Sequence, residues 1–241
     1  MAASIPMVGN MAKAETVTLD ALSGVYPGNG GGEFTAYTSQ NFLPNYASAA
    51  TYAGGFETFC IETGVEFSPG NTYYYTISQN AQPISPPKQS SGSGWPLSYG
   101  AAYLYYEFGK GALGGFDYAY GAGRMADDNL LQAAIWAFQG GQTYNTGVYG
   151  NGITGNPFYS EAVSALTALS LDPNGAYIGT QVEVLNMWVD SGDTIAAQNQ
   201  LVLPGGSGPL PHPSVPDGGM TVMLLGGALV GLATMRRKLF F

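Results

Sequence analysis

The sequence predicts an α+β fold: a β sandwich or barrel with about three inserted helices, plus a C-terminal transmembrane helix. Three observations carry that prediction. Apolar and polar side chains alternate with a period of two through much of residues 15–78, as half-buried strands require. Between residues 97 and 171 good helix formers and helix-stop glycines replace the alternation, and strand-like segments return by residue 203. An uncharged apolar run over 220–235 then leads into a basic stub. Strands, then helices, then strands is the order of an α+β domain.

The elements follow in chain order. Residues 15–26 read as a first strand, 27–32 as a Gly-rich turn and 33–38 as a second strand. Residues 56–62 read as a strand with Phe56, Thr58, Cys60 and Glu62 on one face. Residues 71–78, with three consecutive tyrosines, form another, and 82–96 is a Pro/Ser/Gly loop. Residues 97–110 are apolar all round and end at Gly109 and Gly111, which suits a buried helix. Residues 126–138 form a second helix, capped by Asp127 or Asp128 and ended by Gly140 and Gly141. Pro157 opens a third helix in its first turn, running to about residue 171. After the turn Asp172-Pro173-Asn174-Gly175, residues 180–189 and 198–203 read as closing strands. The β-rich domain therefore spans 15–203, and residues 204–213 form a Gly/Pro linker.

Composition narrows the function classes. Charged residues are only 10% of the chain, against roughly 25% in an ordinary soluble protein. Between Glu15 and Ser214 three basic residues, Lys88, Lys110 and Arg124, face fifteen acids. Such a surface excludes nucleic acid as a partner. One cysteine, Cys60, and one histidine, His212, exclude an internal disulfide and a Cys/His zinc site. No Gly-x-Ser-x-Gly, phosphate-loop or dinucleotide signature is present, no cofactor is called for, and the expectation is a protein that is not an enzyme. Asp127-Asp128-Asn129 lacks calcium-loop spacing, and Asp190-Ser191-Gly192-Asp193 reads as a turn.

The two ends point to export. Residues 1–14 lack a basic start and a continuous apolar stretch, yet Ala12-Lys13-Ala14 has the small-x-small form of a cleavage site. They read as the remnant of an export signal, with mature protein beginning near Glu15. At the other end Val215, Pro216, Asp217, Gly218 and Gly219 precede the apolar run, and Arg236, Arg237 and Lys238 follow it. Sixteen residues reach roughly 24 Å, and adding the two glycines brings residues 218–235 close to the ~30 Å hydrocarbon core. The three cations form a cytoplasmic stop, as the positive-inside rule expects. Gly227 and Gly231 provide a small-xxx-small pair.

This C-terminal order resembles the tail of exosortase-sorted proteins of the PEP-CTERM class, closest to the VPDSG variant, with Gly218 where that variant has Ser. The resemblance covers residues 214–238. It implies a sorting signal over 214–241, a cell-envelope location, membrane anchoring at least before processing, and cleavage near Pro216–Gly218 by an exosortase-type enzyme.

Within the domain two short motifs stand out, Phe59-Cys60-Ile61 on a strand and Leu131-Gln132-Ala133-Ala134-Ile135-Trp136 on a helix. Gln132 and Trp136 are one turn apart and share a helix face. The pair resembles the thioester domains of bacterial surface adhesins, although those carry Thr where this chain has Leu131. That resemblance implies Cys60 as thioester sulfur and Gln132 as acyl donor. A thioester survives water only in a dry pocket, and Trp136 with nearby aromatics is the candidate shield. The plain alternative is a buried Cys acting as a small hydrophobe and a Gln bonding the backbone.

Two functions are expected on this basis. One is a non-enzymatic structural protein of the cell surface or extracellular matrix, with extracellular polysaccharide as its partner. The other is a covalent adhesin whose Cys60–Gln132 thioester acylates a surface amine.

Overall fold

Strands β1 (Thr16–Asp20) and β2 (Phe34–Thr38) pair antiparallel, with Val17 opposite Thr38 and Asp20 opposite Thr35. In the computed structural model the described residues are 15–28, 31–63, 65–82, 94–139, 153 and 155–205. All lie in the first of two compact units, residues 1–210. Strands β3 (Thr51–Tyr52) and β4 (Gly55–Thr58) form a hairpin. Its two-residue turn is Ala53-Gly54, at φ 48° and 88°, the pair of positive φ values that matches strand twist. Strands β5 (Thr72–Ser78), β8 (Glu183–Trp188) and β9 (Gln200–Val202) complete a seven-stranded sheet in the order β3-β4-β2-β1-β5-β8-β9. Strands β6 (Asn80–Ala81) and β7 (Trp95–Pro96) make a separate small ladder.

The sheet closes on itself. Beyond Thr58 the chain continues as Phe59–Ile61 alongside β9: Leu201 N–H donates to Phe59 O and Ile61 N–H donates to Asn199 O, both at 3.1 Å. Cys60 lies opposite Gln200 in an antiparallel bridge, and Thr58 Oγ1 donates to Leu201 O at 2.6 Å. Of the two architectures expected, the ring β4-β2-β1-β5-β8-β9 is therefore the barrel. Its closing seam runs through Cys60.

Three helices are inserted between β7 and β8: α1 (Tyr99–Gly109), α2 (Ala122–Phe138) and α3 (Pro157–Ala168). Helix α1 is the buried one, with eight of its eleven residues inside. Tyr105 OH reaches Glu57 O at 2.9 Å, and Phe108 packs edge-on to Phe59 with centroids 5.0 Å apart. Each such buried aromatic contributes about 1.5–3 kcal/mol relative to exposure. Gly100 lets α1 and α2 approach, since a Cβ there would lie 2.3 Å from the Phe138 ring. Phe138 stacks in turn on Tyr159 of α3 at 4.4 Å.

Several boundaries depart from the sequence reading. The first strand stops at Asp20, because Val25 and Tyr26 fold back to bond Leu22 O and Gly24 takes φ 96°. Strand pairing of β4 with β2 stops at Thr58, and Cys60 belongs to the seam. Helix α1 starts after Ser98, whose Oγ accepts from Ala101 N–H. Helix α2 starts four residues before the expected position, after Gly121, with no side-chain cap. Neither Asp127 nor Asp128 caps it: Asp127 accepts the Asp117 N–H at 2.7 Å, and Asp128 is fully buried mid-helix. Helix α3 has Pro157 in its first turn and Asn156 as its N-cap, and it ends at Ala168. The expected transmembrane helix at 218–235 lies outside the described residues; among those described, no helix is long and apolar enough to cross a membrane.

Candidate functional site

The site is built where α2 meets the barrel seam. Gln132 is fully buried on α2, and its carboxamide lies against the main chain of Cys60, 72 residues away. Gln132 Oε1 accepts two backbone N–H groups, from Gly32 at 2.8 Å and from Cys60 at 2.9 Å. Gln132 Nε2 donates to Cys60 O at 2.8 Å. Both ends of the carboxamide are thus satisfied where a strand has just left its partner, which a buried polar side chain requires. Gly31 makes room: a Cβ there would lie 2.6 Å from Gln132 Cγ and 3.1 Å from Trp136 Cη2.

Cys60 is a free, fully buried thiol. Burial pushes it up to about 12; hydrogen bonds from the Gln200 side chain and the Gly32 N–H oppose that rise, and the nearby Glu62 carboxylate adds to it. At neutral pH the group is therefore a neutral thiol, inert while covered. The Gly32 N–H faces both the Gln132 carbonyl oxygen and the Cys60 sulfur, so the two groups share a neighbour. A carbonyl held by two fixed N–H donors is polarised toward attack at carbon, the arrangement that stabilises an oxyanion.

The cover is aromatic. Trp136, 3% exposed, packs with Phe34 and Cys60, and half-buried Tyr26 and Phe67 extend the layer. Phe34 contacts Tyr26 at 5.0 Å and Phe67 at 4.7 Å between centroids. The structure thus brings Cys60, Gln132 and Trp136 together. The tail residues Val215, Pro216, Asp217, Gly218, Gly219, Arg236, Arg237 and Lys238 lie outside the described residues.

Sequence reasoning missed three parts of this region. Gly31 and Gly32 read only as a turn. Gln200 faces the sulfur from the closing strand, its Nε2 3.4 Å from Cys60 Sγ. Beside Gly32 lies a buried charge cluster in which Arg124 forms a two-pronged ion pair with Glu33, one bond 2.7 Å long. Arg124 Nη1 also donates to Ala49 O and Tyr118 O, each at 2.9 Å, and aromatic rings surround the guanidinium, the nearest being Tyr120 at 5.1 Å. Burial, then the Glu33 charge, raises both Glu57 and Asp128 well above the carboxylate range, so both are held as neutral acids. Glu57 Oε1 accepts from Thr35 Oγ1 at 2.8 Å. The cluster anchors the Gly31–Gly32 approach through Glu33. A lone Arg and three scattered acids give no pattern in sequence that would reveal it.

Comparison with known proteins adds to the C-terminal end. Residues 214–239 match the VPDSG-CTERM motif. This sorting signal implies an exported, cell-envelope-associated protein processed by an exosortase-type enzyme. Among curated proteins and among solved structures nothing matches the chain.

Proposed function

We propose that the β-rich domain is a surface module delivered by its C-terminal sorting signal, and that Cys60 and Gln132 close into an internal thioester that acylates an amine on a target. The observation that carries this reading is the Gln132 carbonyl, held by the Gly32 and Cys60 N–H groups against the main chain of the residue that bears the sulfur. In closure the sulfur bonds to Gln132 Cδ, the C–N bond breaks, the thiol proton passes to nitrogen, and ammonia leaves. The product is an activated acyl group under an aromatic cover. A target amine then attacks Cδ and replaces sulfur, leaving the target joined to the protein by an amide bond.

A second reading is favoured by a different observation. All three Gln132 hydrogen bonds go to backbone groups that the end of β4 leaves unpaired. In that reading Gln132 is only a staple for the seam, and the protein is a non-enzymatic structural component of the extracellular polysaccharide or surface layer.

One experiment separates them. The intact mass of the full chain is measured before and after methylamine, beside a Cys60→Ala control. The thioester reading expects a mass short by one ammonia, absent in the control, and a gain of one methylamine on treatment. A full mass with one titratable thiol sinks that reading and leaves the structural one.

A further inference from the structure

Gln200 stands opposite Cys60 across the seam, so the two side chains leave the ladder on the same face. It is 1% exposed, and its Nε2 lies 3.4 Å from Cys60 Sγ and 3.4 Å from Gln198 O. Its Oε1 is buried and has no hydrogen-bond partner among the described residues. Burying a carboxamide with one end unsatisfied costs free energy that an apolar residue of the same volume avoids. A seam that needed only closure would be better served by Leu or Met. The geometry is that of a donor aimed at sulfur.

We propose that Gln200 is the residue that stabilises the Cys60 sulfur as it departs when an amine opens the thioester. This inference rests on the reading that Cys60 and Gln132 form that bond. In the opening step the amine nitrogen attacks Gln132 Cδ, and the C–S bond breaks with its electron pair staying on sulfur. The proton lost by the amine nitrogen ends on sulfur, giving a thiol and an N-substituted amide of Gln132. Negative charge appears on sulfur only along this path, so a donor already in place strengthens its bond there and accelerates the step. The apolar cover otherwise opposes a thiolate, and the Gln200 amide and Gly32 N–H are the two donors that counter it. The same donors ease the reverse passage, in which sulfur attacks to close the ring. Two glutamines thus serve one cysteine, with Gln132 supplying the acyl carbon and Gln200 attending the leaving atom.

The test uses the full-length chain and two variants, Gln200→Met and Gln200→Asn. Methionine keeps the volume without the donor, and asparagine keeps the chemistry while withdrawing it from sulfur. Intact mass first establishes the thioester in each protein, and thermal melting establishes folding. The rate of opening by methylamine is then measured. Hydrogen bonds to charged groups are worth enough to predict opening slower by about tenfold to a hundredfold in both variants. After opening, the pH profile of Cys60 alkylation is expected to move to higher pH in both, which a purely packing role would not produce. Opening rates and alkylation profiles equal to those of the wild type, in folded variants that carry the thioester, overturn the role of Gln200 alone. A wild-type chain of full mass overturns the thioester reading and this inference with it.

Discussion

Gln132 is the residue on which both readings of the domain turn, and its replacement has a defined cost. Gln132→Leu strands the Gly32 N–H, the Cys60 N–H and the Cys60 carbonyl in a dry interior. Each unsatisfied buried group costs about 1–3 kcal/mol, so a loss of about 3 kcal/mol or more in urea unfolding is expected. Gly31→Ala separates chemistry from stability. Its Cβ would lie 2.6 Å from Gln132 Cγ and displace it, so the ammonia-deficient species that the thioester proposal expects would be absent while the protein still melts cooperatively. Cys60 and Gln132 were legible in sequence because each sits in a short patterned motif, and their meeting required only that one strand and one helix pack together. Gln200 was not legible. Its position opposite sulfur is a matter of register between the seam and β9, and register is set by the ring as a whole.

At the scale of elements, the three helices and most strands announced themselves through periodicity and their stop signals. Helix α2 did not announce its start. Asp127 and Asp128 are the residues expected to cap a helix, yet Asp128 is buried beside Arg124 and Asp127 serves the preceding loop. Tertiary burial overrode local preference there. Packing of α1 against α2 gives a prediction whose sign opposes propensity. Gly100→Ala gains about 1 kcal/mol of helix propensity but drives a Cβ to 2.3 Å from the Phe138 ring. Overpacking costs about 1–3 kcal/mol, so a net loss of stability is expected, and a raised melting temperature would contradict it.

The whole molecule is acidic, and its buried acids set how it responds to pH. Burial pushes Glu62 up to about 7, against hydrogen bonds from Asn199, and raises Glu57 and Asp128 further. A carboxyl whose folded pKa is raised binds its proton more tightly in the native state than in the unfolded chain. Its stabilisation is complete below about pH 4 and is lost as pH rises through the folded value. The melting temperature is therefore expected to fall from pH 5 to pH 8, with Glu62→Gln flattening the fall over that interval. A profile unchanged by the substitution would remove Glu62 from the account. The class of the fold was legible from strand and helix order, whereas ring closure was not: it depends on pairing between residues 59–61 and 199–201, which no local pattern encodes.

That pairing also sets a schedule. Synthesis runs from the N-terminal side, so Cys60 and the strands around it emerge long before residues 199–202. Until that last strand docks, the thiol has no ladder partner, no amide from Gln200 and no settled cover. The nascent domain therefore passes through an interval in which its sulfur is open to small disulfides and oxidants, and the interval ends only when residues 199–201 pair with residues 59–61. Cells that make this protein have a reason to keep that interval short.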